Sequence, residues 1–227
     1  MKILEERAKN KEKREEMLNE VLISLLGIPF LFSVIQDKIS ESIGYFIFWL
    51  GGVSPYIYEK IALQEISEKI KIMLSSSILF HSLLGQFLKF YDKVPFWDKC
   101  LHFYGSFVIT CFFYHILTRK SKFWNHVPNS ILISFLLGSF SGLLWEIAEF
   151  ITDKTIPGYH TQRGLDDTMW DLIFDILGCY VVAKILYKKK TGHIFWSYRK
   201  SYSQAPGFSK ATFHHRARWS SFKVMRK

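Results

Sequence analysis

From Asn129 to Trp145 the chain runs for seventeen residues without a charged side chain. A soluble helix needs a polar stripe recurring about every 3.6 residues, and Ile131, Leu132, Ile133, Phe135, Leu136 and Leu137 leave no charged face for one. In hydrocarbon each backbone N–H and C=O must be paired within the protein, so a run of this kind folds as helix. Five further apolar runs cover Val21 to Ile35, Ile43 to Tyr58, Ile72 to Phe90, Leu101 to Leu117 and Asp171 to Tyr187, while the run from Asn129 itself continues to Ile151. A span takes about 20 mostly apolar residues. The runs at Ile72 and Asn129 reach that length; the first two are shorter, and Gly51-Gly52 and Pro55 are placed to interrupt the second. The expected fold is all-α: a polytopic transmembrane helical bundle of about six helices, with five as the alternative.

Charge divides the chain into three parts. Residues 1–20 carry six Lys or Arg and six Glu, with Glu5 and Lys9 at i,i+4, which suits an exposed cytosolic helix. Residues 21–187 hold the apolar runs, and no small-residue cleavage site follows the first, so it reads as a retained anchor. Residues 188–227 carry eleven Lys or Arg and no Asp or Glu; since the whole chain is +10, the rest sums to −1. The basic character therefore belongs to the tail. Six basic residues before the first run, with Lys60, Lys69 and Lys71, then Arg119, Lys120 and Lys122, then the tail, favour both ends inside. A multi-pass protein of the cell membrane is the expectation. Cys100, Cys111 and Cys179 show no C-x-x-C spacing and read as packing residues.

That topology brings three polar ends to one membrane depth. Asp98 and His102 head the fourth run, Glu146, Glu149 and Asp153 close the fifth, and Asp171 and Asp175 open the sixth. Residues four apart share a helix face. Asp98, His102, Ser106 and Thr110 make one stripe; Asp167, Asp171, Asp175 and Cys179 make another; and Ser134, Gly138 and Gly142 lead to Glu146, a small-residue stripe that aims it at a neighbouring helix. Ser77, His81 and Gly85 repeat the pattern on the third run. Carboxylates this close raise one another's pKa unless a cation compensates them, and the nearby cations are Lys99, Lys154, Arg163 and His102. A divalent metal ion (Mg, Mn, Fe or Zn) held by His102, Glu146, Glu149, Asp171 and Asp175 fits this donor set, with Asp98 orienting His102 or acting as base. The plainer alternative makes Asp167 or Thr168 a helix cap with Asp171 closing a capping box, and Asp153 a solvated loop acid. It does not reach Asp175, a turn deeper, or Glu146, near a helix C-terminus where the dipole disfavours an anion. Tyr91, Trp97, Trp124, Trp145 and Trp170 read as interface aromatics.

The segments LGQFLKFYDKVPFWDKCLHFYGSF (84–107), GLLWEIAEF (142–150) and QRGLDDTMWDLIFDILG (162–178) together resemble the YjdF-like family of membrane proteins. The resemblance covers about residues 72–190. It falls on Asp98, His102, Glu146, Glu149, Asp167, Thr168, Asp171 and Asp175, and it implies fold and membrane location but no reaction.

The basic tail mixes its charges with Phe195, Trp196, Tyr198, Tyr202, Phe208, Phe213, Trp219 and Phe222. Such a segment beside a bilayer suits anionic lipid head groups; without a nucleic-acid-binding motif, no nucleic acid partner is expected. Assembly into a homo-oligomer is left open by the sequence. The functional expectation is a metal-dependent, hydrolase-like membrane enzyme for a lipid or lipid-linked substrate, with catalytic roles for Asp98, His102 and Glu146. A cation- or proton-coupled transporter using His81, and a structural subunit whose acids only cap and pack, are the alternatives.

Overall fold

The computed structural model describes residues 2–120, 127–156, 158 and 160–203, with side chains only within 5–190. The tail's aromatic side chains, its basic side chains beyond Lys190, and Trp124 lie outside what is described. Two compact units are distinguished, Met1–Lys184 and Ile185–Lys227.

All regular structure among the described residues is helical. The elements are α1 (Lys2–Ile35), α2 (Ile39–Ala62), α3 (Glu68–Leu79) continued by a π-helical stretch (Phe80–Phe87), the short α4 (Phe90–Lys93), α5 (Trp97–Lys120), α6 (Val127–Thr155) and α7 (Leu165–Ser203). The charged N-terminal segment and the first apolar run are thus one continuous helix. α2 passes through Gly51-Gly52 and Pro55 without a break, because Pro55 is buried within the bundle and its neighbours hold the helix. Left-handed residues make the tight corners: Asp37 (φ 55°) before α2, Leu63 (φ 50°) after it and Lys89 (φ 59°) before α4.

Helix α6 shows why this bundle belongs in a membrane. Leu132, Leu136, Phe140, Leu143, Ile147 and Ile151 face outward, while Ser130, Ser134, Gly142 and Glu146 are buried. Its polar face is inside and its apolar face outside, the reverse of a soluble helix. Small residues bring the helices close. A Cβ on Gly178 would collide with the α5 backbone at Phe103, and one on Gly142 with the Asp175 carboxylate. Among the described residues, four helices are long and apolar enough to cross a bilayer: Glu5–Ile35, Glu68–Phe87, Trp97–Arg119 and Asn129–Thr155. α2 and α7 are not among these four.

At the start of α3, Lys71 is buried with its Nζ 2.9 Å from Glu59 Oε2 and 2.7 Å from Glu68 Oε1, and 4.3 Å from the centre of the Tyr56 ring. Asn19 Nδ2 donates to Tyr56 Oη at 2.7 Å, tying α1 to the same knot. α3 and its π-helical continuation then carry the chain to the other end of the bundle, where the carboxylates gather.

Candidate functional site

The sequence places an imidazole one turn into α5, and the fold surrounds it. His102 Nε2 lies 3.6 Å from Asp98 Oδ1, 3.5 Å from Glu146 Oε1 and 3.6 Å from Asp171 Oδ1, three oxygens from three different helices. The other ring nitrogen, Nδ1, is 3.3 Å from both oxygens of Asp175. Ser106 Oγ donates to Asp175 Oδ1 at 2.6 Å, so that carboxylate is held from below. His102, Glu146, Asp171 and Asp175 are all buried.

A carboxylate only accepts, so Asp175 takes the Nδ1–H hydrogen; a neutral ring then presents the Nε2 lone pair, and a protonated ring a second N–H, on its other side. Nε2 faces three acceptor oxygens. Among the described residues, Glu146 Oε1 is buried and receives no hydrogen bond. Either the ring is protonated or a cation lies between these groups. Donor atoms of Asp98, His102 and Asp171, and separately of His102, Glu146 and Glu149, lie within 4.8 Å of one another, so either set could hold a metal ion.

Lys99 supplies a resident positive charge. Its Nζ is 3.2 Å from Asp98 Oδ2 and 2.8 Å from Asp171 Oδ1, and it is paired closely with Asp167 Oδ1. Burial alone would raise the Asp167 carboxyl, but Lys99 and the Arg163 N–H, which donates to Asp167 Oδ2 at 3.1 Å, hold it below the usual carboxylate range. That ammonium is shared among three carboxylates, and the cationic partner within reach of Glu146 is the His102 ring if protonated.

Several residues stand differently from expectation. Asp175, expected among the metal ligands, sits on the Nδ1 edge of His102; the two ring nitrogens point apart, so it cannot share an ion with Nε2. It takes the orienting position assigned to Asp98, and Asp98 faces Nε2. Glu149 lies within 4.8 Å of His102 and Glu146 donor atoms, with Oε1 accepting from Trp145 Nε1 at 3.0 Å. Asp171 forms no capping box with Thr168; it reaches Lys99 and His102 instead. Asp153 is the organiser of the loop before α7, accepting from Thr161 N at 2.8 Å and Gln162 N at 3.0 Å.

Gln162 escaped the sequence reading. Its Nε2 donates to Glu146 Oε2 at 3.2 Å and to Glu146 O at 3.1 Å, which turns the remaining oxygen toward His102. Asp153 positions it, and the only sequence signal was its place in QRGLDD. Tyr91 also departs from an interface role, since its hydroxyl is 2.5 Å from His81 Nδ1.

The comparisons with known proteins agree with this membrane architecture. Residues 14–191 match the family model described as "Predicted membrane protein (DUF2238)". The chain belongs to the DUF2238 family. That match extends well toward the N-terminus of the segment carrying the motif resemblance. A protein of Thermotoga maritima, described as "Uncharacterized protein", is 69% identical over 185 residues, covering 82% of this chain and 96% of that protein. No solved structure matches. Membership in DUF2238 and the four apolar spans make this an integral membrane protein.

Proposed function

We propose that this DUF2238 protein is a metal-dependent membrane enzyme of hydrolase type, acting on a lipid or lipid-linked group at the extracytoplasmic ends of six spans with both termini inside. The observation that carries this reading is His102 Nε2 facing three carboxylate oxygens at 3.5–3.6 Å, with Glu146 Oε1 buried and receiving no hydrogen bond. His102 would hold the ion together with Asp98 and Asp171, or together with Glu146 and Glu149. A divalent ion there supplies Lewis-acid polarisation of a substrate oxygen.

The chain's own residues do the rest. Asp175 and Ser106 fix the tautomer and tilt of His102, the usual second partner of a metal-binding imidazole. Gln162 fixes Glu146. Lys99 bridges Asp98, Asp167 and Asp171 and keeps their charge tolerable at membrane depth. Glu149, next to Glu146 on the same helix end, is placed to take up a proton from the reacting group.

Metal-stripped protein titrated with Mn2+ tests this. About one ion per chain binds in the wild type, and binding falls at least tenfold in Glu146→Gln and His102→Ala. Vesicles of phosphatidylglycerol and phosphatidylethanolamine, with and without Mn2+, then report lipid cleavage by mass spectrometry. No stoichiometric Mn2+ binding in folded wild-type protein would end the metal reading.

One observation favours a second reading, a proton- or cation-coupled transporter. His81 and His102 line the same cavity, the neighbourhood that a relay through His81 would use. Flux into proteoliposomes that is lost in His81→Ala, without lipid cleavage, would select it.

A further inference from the structure

Beside the carboxylates lies a cavity of about 210 Å3, bounded by α2, α3 and its π-helical continuation, α5, α6 and α7. That is room for roughly seven waters at about 30 Å3 each. Phe48, Ile78, Leu101 and Trp145 make its apolar wall; His102 and Asp175 stand on one side and His81 and Tyr91 on the other. Phe48 and Trp145 meet at its edge with ring centroids 6.3 Å apart, and Trp145 is 37% exposed on the outside of the bundle. The apolar wall therefore reaches the lipid-facing surface at that aromatic pair.

The polar side is a built device. His81 and Gln86 are five residues apart, which an α-helix would set about 140° from one another. The π-helical stretch removes that offset, with Leu88 N donating to Leu83 O at 2.9 Å, and brings Gln86 Nε2 to 3.1 Å from His81 Nε2. π-Turns of this kind concentrate at functional sites. The left-handed Lys89 then folds the chain back, so that Tyr91 lies over Gly85, where a Cβ would strike its ring. Arg163 Nη2 donates to Tyr91 O at 2.7 Å, anchoring the turn to the loop before α7.

The hydrogens follow from the donors. An amide nitrogen only donates, so His81 Nε2 accepts from Gln86, and the neutral ring carries its proton on Nδ1. Nδ1–H then donates to Tyr91 Oη at 2.5 Å. The hydroxyl's own hydrogen has no place on His81 and is left to point into the cavity. Burial pushes the Tyr91 phenol well above its ordinary range, with Asp98 adding to the effect, so it remains a donor.

We propose that this cavity is the substrate pocket, that its occupant is an ester-bearing amphiphile, and that Tyr91 O–H donates to an ester oxygen while the apolar chain lies against Phe48, Ile78 and Trp145. This deepens the enzyme reading by naming the substrate class, and rests on it for the chemistry though not for binding. An ester oxygen accepts and cannot donate, which matches a site whose exposed hydrogen is a phenol's. The chain enters past the Phe48–Trp145 pair, where bilayer and cavity are separated by those two rings.

The probe is the methyl ester of a medium-chain fatty acid carrying a diazirine, photolysed with the purified full-length protein and mapped by peptide mass spectrometry. Wild-type adducts should fall on Phe48, Ile78 or Trp145, competed by the unlabelled ester and not by an alkane of equal length. Tyr91→Phe should label at least fivefold less at an unchanged melting temperature, and Gly85→Ala, which displaces the ring, should behave alike should Tyr91→Phe fold poorly. Equal labelling in these variants, alkane competition, or adducts confined to Leu132, Leu136 and Phe140 on the outer face would overturn the proposal. Mn2+ binding separates the two readings: Tyr91-dependent labelling without Mn2+ binding keeps the pocket and loses the metal. Mn2+ binding with Tyr91-independent labelling does the reverse.

Discussion

Asp175 grips His102 by its Nδ1 edge, both carboxylate oxygens 3.3 Å from that nitrogen. This is the contact that leaves Nε2 free to face Asp98, Glu146 and Asp171. An amide in place of the carboxylate could present its N–H to Nδ1 and move the ring proton to Nε2, where it would block a metal. Asp175→Asn is therefore expected to lower Mn2+ affinity by about 10–100-fold, the usual cost of losing such a partner. The melting temperature should shift little, since Ser106 can still donate to the amide oxygen. Titration of both proteins with Mn2+ checks it, and unchanged affinity would remove Asp175 from the orienting role.

Close helix packing gives a sharper stability contrast. At Gly178 an added methyl meets Phe103 O, a backbone atom that no rotamer change can move away. Gly178→Ala should destabilise by about 1–3 kcal/mol or more through overpacking. Gly44, also in a helix, has nothing within 4 Å of its position for a Cβ. Gly44→Ala should be neutral or slightly stabilising, because alanine loses less backbone freedom. Denaturation in one detergent measures both, and equal effects would show that the α5–α7 approach is not tight.

Lys71 offers a test of the other end. It is the buried cation between Glu59 and Glu68, each on a different helix. Lys71→Met removes the charge and leaves two carboxylates facing one another, a change that costs about 3–5 kcal/mol when a buried pair is broken on one side. The triple variant with Glu59→Gln and Glu68→Gln should recover most of that loss. A triple variant no more stable than Lys71→Met would mean the side chain acts by packing alone.

Much of this architecture is legible in the sequence because it is set by period and polarity. The uncharged stretch through Leu136 and the stripe ending at Glu146 determine which face of α6 turns inward, and four-residue spacing aligns His102 with Ser106 and Asp171 with Asp175. The spacing could not assign the roles of the two ring nitrogens. Asp98 and Asp175 are both acids one turn from the centre, and only the crossing of α5 and α7 decides which meets Nδ1. Gln162 and Tyr91 were hidden for another reason. Gln162 arrives on a loop gathered by Asp153, and Tyr91 on a four-residue helix entered through a π-turn and a left-handed Lys89, where no extended periodicity projects a side chain. The continuity of α2 through Pro55 is also a tertiary outcome, in which burial overrides local propensity.

Acid should expose the pairing that closes the site. Asp167 receives Lys99 and the Arg163 N–H, and its carboxyl is held below the ordinary range despite the burial that opposes this. A carboxyl with a depressed folded pKa contributes stability that is present above the unfolded value, about 3.9, and is lost as pH falls through the lower folded value. Asp167→Asn forfeits that contribution at every pH. The melting temperature of the wild type should therefore exceed that of Asp167→Asn by its full margin above the ordinary carboxylate range, and the two should converge as the pH is lowered below that range. Melting curves of both proteins in the same detergent across that interval decide the matter. A margin that stays constant down to the acid limit would mean that Lys99 holds Asp98 and Asp171 without needing Asp167, and that the α7 start is fixed by its loop alone.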